Sequence, residues 1–419
     1  MTDLRRPFVG ARVLLGVTGG IASYKSAWLA RLLTKAGAEV DVVMTRAAAE
    51  FVGAVTFEAL TGRPVHTGLF DPGRALDHIA LARSAQAAVI APATADFMAR
   101  AAMGQADDLL TATLLATTAP VLVVPAMNDR MWAHAQTAAN VSHLRSLGYT
   151  VIDPESGALA AGEGAGPGRM PEPDTIMAHV GRMLERESDL SGLRILVTAG
   201  PTREALDPVR YVSNRSSGRM GVAVAEAAWR RGAFVTLIAG PLEVAPPVGV
   251  RTLHVETTAE MAAGVASELP AADVLVMAAA PADFRPAAAE PSKIKRARGP
   301  LAVRFDPTAD ILASTRGIRR AGAIIVGFAL ETEAPESGGR AKLEQKDLDL
   351  VVVNDATEPG AGFGVDTNRV TLLARDGGRE ALPLQSKLAV ADAILDRVLL
   401  IAAARREAAA APARDRPSR

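Results

Sequence analysis

Runs of β-branched and aliphatic residues ending in Gly-, Pro- or Thr-rich turns alternate with Ala- and Leu-rich stretches of helical period, and the alternation occurs twice along 419 residues. This predicts an α/β chain of two Rossmann-like doubly wound parallel-sheet domains in tandem, because strands separated by helical segments pair in parallel with helices on both faces. The chain is too long for one ordinary core, and its 49% apolar residues can fill more than one.

In the first half, strands are expected at Arg12–Thr18, Glu39–Met44, Ala87–Ile90, Val121–Val124 and Thr150–Ile152, with a helix over Ile21–Ala36 that stops at a glycine. A Pro- and Gly-rich section from Asp153 to Pro173 and a polar helix to Glu187 lead to a boundary near Leu190. The second series has a strand at Arg194–Thr198 and a helix over Met220–Arg231 that stops at Gly232. Further strands follow at Val235–Ala239, Val274–Ala278, Ile324–Phe328, Leu350–Asn354 and Val370–Ala374. The expected division is 1–190, 191–402 and a tail, 403–419, whose Ala, Arg and Pro lack a core pattern and predict disorder.

Lys plus Arg equals Asp plus Glu at 46 each, so no global field steers the chain to nucleic acid or a membrane surface, and an anionic ligand must be met by local clusters. That balance suits an enzyme of small molecules. The absence of cysteine excludes disulfides, thiolate metal sites and cysteine nucleophiles together, and a cytoplasmic setting is expected. Arg5 and Arg6 precede a short apolar run followed at once by Lys25, which reads as a first strand and not an export signal. No uninterrupted apolar run reaches membrane-spanning length.

The segment Val197–Gly221 is a long polar loop between a strand and a helix. Asn214, Ser216, Ser217 and Gly218 sit where a helix start exposes amides, and Arg203, Arg210, Arg215 and Arg219 are cations suited to phosphate or carboxylate. The same residues could simply cap a helix and meet solvent. The length of the loop favours an anion site. In the first half, Gly16, Gly19 and Gly20 open the first helix at a phosphate-binding position, although GVTGG is not GxGxxG. A mononucleotide suits this spacing better than a dinucleotide, and tight strand–helix packing is the plain alternative. Ser23 and Thr45 could add hydroxyls to the phosphate. His78, beside Asp77, is a base only if other loops converge on it; otherwise it is a surface or core polar group.

GVTGGIASYK, DHIAL, APATADF, GQADDLL, PAMNDRMW and GPGRMPEP, in this order, resemble the flavin-dependent cysteine decarboxylases, specifically the N-terminal half of the bifunctional phosphopantothenoylcysteine decarboxylase/phosphopantothenate-cysteine ligase family. The resemblance implies FMN between subunits, contacted by Gly19, Gly20, Ser23, Thr45, Pro92 and Thr94. It implies oxidation of a substrate thiol to a thioaldehyde that acts as electron sink for decarboxylation, then return of the hydride. By the same resemblance His78 is the basic residue, Asn128 grips the substrate carboxylate, and Gly168, Arg169 and Met170 belong to a clamp over the substrate. One departure stands out: where family members carry a proton-donating cysteine, this chain has Ala161. Glu163 or water then replaces the acid, the reaction stops at the enethiol, or the half is inactive. Persistence of the other motifs favours retained decarboxylation.

GPTREALDPVRYVSNRSSGRMG resembles the ligase half of the same family, followed in order by MAAAPADF, SKIKR, PTADIL, GFALET and KLEQKDLDLVVVND. The resemblance implies CTP-dependent joining of 4'-phosphopantothenate to cysteine through an acyl-cytidylate, with Mg2+ accompanying the triphosphate and no metal ligands identifiable. It implies that Asn214 and Arg210 handle the substrate carboxylate and its activated form, and that Lys293 serves conversion of the acyl-cytidylate. The implied CTP contacts are Met277, Ala278, Ala279, Asp283, Lys293, Thr308, Ala309, Asp310, Ile311, Phe328, Lys342 and Lys346. A basic surface loop explains KIKR equally well in isolation, and Lys342 and Lys346 are also ordinary for a solvated helix face. His254 is read as structural or interfacial. Homo-oligomers through both domains are implied, trimeric by the first and dimeric by the second.

Overall fold

The structure is a computed structural model that describes residues 7–70, 74–159, 162, 164–185, 188–295, 301–331, 335–355, 362 and 364–410. Ala161 and Glu163 lie outside the described residues. The chain divides into two compact units, Arg6–Arg186 and Glu187–Arg419 with Met1–Arg5.

The first unit runs β1 (Arg12–Val17), α1 (Ser23–Lys35), β2 (Glu39–Met44), α2 (Arg46–Ala49), α3 (Ala54–Thr61), β3 (Val65–His66), α4 (Asp77–Ser84), β4 (Ala87–Ala93), α5 (Ala95–Ala102), α6 (Leu109–Ala116), β5 (Val121–Pro125), α7 (Asp129–Trp132), α8 (Ala135–Ser146), β6 (Thr150–Val151), β7 (Glu155–Ala158), β8 (Ala165–Arg169) and α9 (Pro173–Leu184). Six strands form one sheet in the order β3-β2-β1-β4-β5-β6, and its pairings are parallel. Side chains alternate between faces: Val13, Leu15, Val42 and Val89 join one core, Leu14, Val43, Ala88 and Ile90 the other. Strand order reverses between β1 and β4, so a crevice opens at their carboxyl ends, where open α/β sheets bind ligands. The Pro- and Gly-rich section contains the antiparallel hairpin β7–β8.

The second unit runs β9 (Arg194–Ala199), β10 (Arg203–Ala205), β11 (Tyr211–Ser213), α10 (Arg219–Arg230), β12 (Phe234–Ala239), β13 (Arg251–His254), α11 (Thr258–Glu268), β14 (Val274–Met277), β15 (Phe284–Pro286), β16 (Phe305–Pro307), α12 (Ile311–Ser314), β17 (Ile324–Glu331), α13 (Pro335–Gln345), β18 (Leu350–Asp355), β19 (Thr367–Asn368), β20 (Val370–Ala374), β21 (Arg379–Ala381), β22 (Gln385–Ser386) and α14 (Lys387–Ala410). Its eight-stranded sheet has the order β13-β12-β9-β14-β17-β18-β20-β21, with the reversal between β9 and β14. The expected strand Val370–Ala374 exists but runs antiparallel to β18, as β21 does to β20. Parallel pairing needs a crossover, and the described residues between β18 and β20 hold no helix that could supply one.

The tail expected to be disordered from 403 continues α14 to Ala410. Ala, Arg and Glu are strong helix formers there, and Arg405 anchors the turn through the Gly322 and Ala323 carbonyls, each at 3.0 Å, and the Asp349 carboxylate.

Candidate functional site

In the first unit the turn after β1 is fastened across the crevice. Thr18 Oγ1 donates to the Pro92 carbonyl at 2.7 Å and accepts from the Thr94 amide at 3.1 Å. Thr94 caps α5 through Phe97 N at 3.2 Å, and Thr45 caps α2 through Ala48 N at 3.2 Å. A Cβ at Gly19 would lie 2.4 Å from Ala47 Cβ, so that glycine serves packing; at Gly20 it would meet only Thr94 Cγ2 at 4.0 Å, so that backbone borders open space. Gly20, Pro92 and Thr94 thus meet around Thr18 at the carboxyl ends of β1 and β4, and Thr45, buried at the end of β2, is tied to them through its amide to Val17 O at 3.0 Å. Ser23 does not join them as expected: it is wholly buried, and its hydroxyl bonds the Gly20 carbonyl at 2.6 Å and the Thr18 carbonyl at 3.1 Å.

His78, near the start of α4, lines a cavity of about 420 Å³ with Leu69, Phe70, Ile79, Leu115 and Ala106 of the GQADDLL loop. Its neighbour Asp77 turns to His66 on β3, Oδ2 to Nδ1 at 2.9 Å, and His78 Nδ1 is buried without a partner among the described residues. A half-buried imidazole with a free ring nitrogen in an apolar wall can hold or move a proton.

Asn128 follows β5 in the loop whose Ala126 amide donates to Ala93 O at 3.1 Å, next to Thr94, and it caps α7 through Arg130 N at 2.9 Å. The next residue back, Met127, donates to the Gly168 carbonyl at 3.0 Å, which docks β8 on the PAMN loop. Gly168 has φ +151°, and a Cβ there would stand 2.2 Å from Met127 O. Of the expected clamp, Arg169 pairs with Glu172 at 2.6 Å, but the Met170 side chain is buried in the core and leaves only its backbone for the role. The Met170 carbonyl accepts from Lys25 Nζ at 2.8 Å, and Lys25 also meets Glu172 at 2.9 Å. These bonds, Lys25 first and then Arg169, hold the Glu172 carboxyl below its ordinary range. Sequence reasoning missed Lys25; its signal was a lysine on the buried face of α1 beside Ser26 and Leu29.

In the second unit the polar loop after β9 is not free-standing. It carries the short hairpin β10–β11 and is laced to the end of β14: Ala279 N donates to Thr198 Oγ1 at 3.1 Å, Ala280 N to Gly200 O at 2.9 Å and Ala282 N to Thr202 Oγ1 at 2.8 Å. Asn214 Nδ2 donates to Pro281 O at 2.9 Å and Ala280 O at 3.3 Å. Helix α10 begins at Gly218, φ +76°, with no side chain capping it. Ser216 Oγ accepts the Gly218 amide at 3.4 Å, but no serine or asparagine caps the amides that follow, and the end keeps the polarity that attracts anions.

The expected cations are largely committed. Arg203 stacks on Tyr211 at 4.6 Å, Arg219 pairs with Asp366 at 2.6 Å, and Arg210 forks onto Asp207 at 2.6 and 2.9 Å. Asp207 was missed by sequence reasoning, although an Asp two residues before a turn amide is a recognised turn signal. Burial alone would raise its pKa; bonds from the Val209 amide, the Arg210 guanidinium and the Ile294 amide outweigh that and hold it well below the ordinary range.

The later motifs gather beside this loop. Thr308 Oγ1 donates to Ala282 O at 2.6 Å and its amide to Asp283 O at 2.9 Å, so PTADIL adjoins PADF. Lys342 Nζ donates to Phe328 O at 2.6 Å, and Lys346 pairs with Asp310, which caps α12 through Ala313 N at 3.1 Å. Burial opposes ionisation of Asp310, but these bonds keep its carboxyl below the ordinary range. Met277 and Ile311 are buried, so they can offer a ligand only backbone, whereas Lys293 is exposed. His254 is exposed on the edge strand β13. Among the described residues no cluster of His, Asp or Glu could hold a metal, and no helix is long and apolar enough to cross a membrane.

Residues 2–185 match the Flavoprotein family, and residues 190–401 match the family described as DNA/pantothenate metabolism flavoprotein C-terminal domain. The chain is 46% identical to the coenzyme A biosynthesis bifunctional protein CoaBC of Mycobacterium tuberculosis, over 95% of this chain and 98% of that one. The proteins of the same name from Vibrio cholerae and Escherichia coli K12 are 44% and 42% identical, over 92% and 93% of this chain and 97% of each of theirs. A crystal structure of the C-terminal domain of such a CoaBC protein matches 51% of this chain and 98% of its own at 36% identity, with a TM-score of 0.45.

Proposed function

The chain belongs to the family of coenzyme A biosynthesis bifunctional proteins, pairing a flavoprotein decarboxylase half with a ligase half, and on that premise we propose how each half works. In the ligase half, the substrate is 4'-phosphopantothenate and the nucleotide is CTP with Mg2+. The carboxylate oxygen attacks the α-phosphorus, pyrophosphate leaves, and the amine of cysteine then attacks the acyl-cytidylate, losing a proton as CMP departs. Arg210 orients the carboxylate, Asn214 holds the loop in place around it through Ala280 and Pro281, and the uncapped start of α10 attracts the substrate's phosphate. Lys342, Lys346 and Asp310, with Phe328, receive the nucleotide, and Lys293 stabilises charge on the cytidylate during attack. The observation that carries this reading is the double hydrogen bond of Asn214 to Ala280 and Pro281, which joins the anion loop to the nucleotide motif at the sheet's reversal point.

In the decarboxylase half, the open edge at Gly20, Thr45, Pro92 and Thr94 fits the phosphate of FMN, with Gly19 packing behind it. FMN, when bound, supplies reversible oxidation of the substrate thiol. His78 takes a substrate proton on the imidazole it presents to the cavity, Asn128 binds the departing carboxylate, and the β7–β8 hairpin with Arg169 excludes water. Exposed Ile21 just before α1, with Tyr24 and Trp28 on it, supports self-association of this half, as exposed Tyr211, Phe284 and Phe305 do for the other. Ala161 in place of the family's cysteine favours a second reading, in which this half stops at the enethiol or serves assembly alone.

Both readings are tested by giving the full chain phosphopantothenate, cysteine and CTP and identifying products by mass. Phosphopantothenoylcysteine with one pyrophosphate per amide supports the ligase; conversion to phosphopantetheine supports complete decarboxylation, and an enethiol or no further product supports the second reading. ATP serving as well as CTP would contradict the nucleotide assignment.

A further inference from the structure

The turn between β10 and β11 is closed by Leu206 N to Arg210 O at 2.8 Å, and Asp207 organises both of its sides. Asp207 Oδ1 accepts the amides of Val209 and Arg210, each at 2.8 Å. Its other oxygen faces away from the turn and accepts Arg210 Nε at 2.9 Å, Arg210 Nη2 at 2.6 Å and the Ile294 amide at 3.1 Å. Arg210 Nη2 returns to the Ile294 carbonyl at 2.7 Å, so both polar groups of Ile294 are fixed by one ion pair. A little upstream, Glu290 N donates to Leu206 O at 2.9 Å. The Asp207 side chain is fully shielded from solvent, while Lys293, between these anchor points, is exposed.

We propose that Asp207 is a positioning residue for ligation: paired with Arg210, it buckles the Glu290–Lys295 segment to the β10–β11 turn and thereby sets the place of Lys293. The proposal rests on the reading of Lys293 as the group that serves capture of the acyl-cytidylate. An exposed lysine on an untethered loop must lose backbone and side-chain freedom each time it meets the reacting centre. Tying the next residue's amide and carbonyl removes most of the backbone part before substrate arrives, and small misplacement of a reacting group is costly in rate. Asp207 touches no substrate in this account. It acts through Ile294 and Arg210.

The test uses the full chain with saturating CTP, following pyrophosphate release and amide formation separately in wild type, Lys293→Gln, Asp207→Asn and the double variant. Asparagine keeps an acceptor for the Val209 and Arg210 amides but turns an NH2 group toward the Ile294 amide and the guanidinium. Because Asp207 also holds Arg210, which serves the carboxylate, Asp207→Asn slows pyrophosphate release to some degree, but amide formation is expected to fall at least about tenfold further, accumulating acyl-cytidylate. The double variant should be no slower than Lys293→Gln, since both changes break one unit, and the Ile294 amide should exchange hydrogen faster than in wild type. Should Asp207→Asn fold poorly, Ile294→Pro deletes the donated amide with Asp207 and Arg210 left paired, and the same partition is expected. Normal capture by these variants beside a defective Lys293→Gln overturns the proposal alone, as does equal loss of both half-reactions. Normal capture by Lys293→Gln overturns the reading beneath it.

Discussion

Asn214 donates from one amide nitrogen to the Pro281 carbonyl at 2.9 Å and the Ala280 carbonyl at 3.3 Å, bridging 67 residues of sequence. The bond needs a donor, and neither carbonyl can be satisfied by an acidic side chain. Asn214→Asp therefore sets a carboxylate against two carbonyl oxygens beside the proposed ligation site. Ligation should fall by about 100-fold or more, with flavin binding by the other unit unchanged; amide formation and flavin absorbance check both halves.

Gly168 bears on the decarboxylase alone. Its φ of +151° and the 2.2 Å approach of a Cβ to Met127 O leave no room for alanine without moving β8 off the PAMN loop. Gly168→Ala should slow decarboxylation by about tenfold or more while ligation, whose candidate residues all lie in the other unit, keeps its rate. Separate assays of the two products on the same preparation check it.

Lys25 ties α1 to the Met170 carbonyl and to Glu172. Lys25→Met keeps the buried stem but leaves that carbonyl unpaired, which costs about 1–3 kcal/mol; the partly exposed Glu172 adds little. Urea denaturation of the full chain should show the loss in the transition that also releases flavin.

His179 on α9 supplies a pH dependence. Burial, then the nearby Arg182 charge, lowers its pKa below the ordinary 6.5. Between the two values the unfolded chain binds more protons than the folded one, so stability from this group is full above about pH 6.5 and is lost as pH falls through the folded pKa. Replacing His179 with Gln should flatten the decline in denaturation midpoint between neutral and mildly acidic pH.

What the sequence made legible follows from what is local. Strands such as Arg12–Val17 and Arg194–Ala199 announce themselves by unbroken apolar runs, and the motifs fall at their carboxyl ends because turns need Gly, Pro and Thr. Partners distant in sequence were hidden. Asp77 stands beside His78 but bonds His66, and Arg210 reads as a free cation until Asp207 is seen to hold it. The three-residue strands Arg203–Ala205 and Tyr211–Ser213 are too short to leave a period, so their hairpin looked like plain loop. Ser23 falls in the glycine turn that the sequence suggests for a phosphate, and only the packed structure turns its hydroxyl inward.

The most direct test of the two-step ligase is a single turnover of the full chain with phosphopantothenate and α-labelled CTP, quenched before and after addition of cysteine. Labelled acyl-cytidylate and free pyrophosphate are expected without cysteine, then labelled CMP matched by amide once cysteine is added, and neither with Asn214→Asp. Amide formed with release of CDP and inorganic phosphate, or labelled intermediate formed normally by Asn214→Asp, would contradict it.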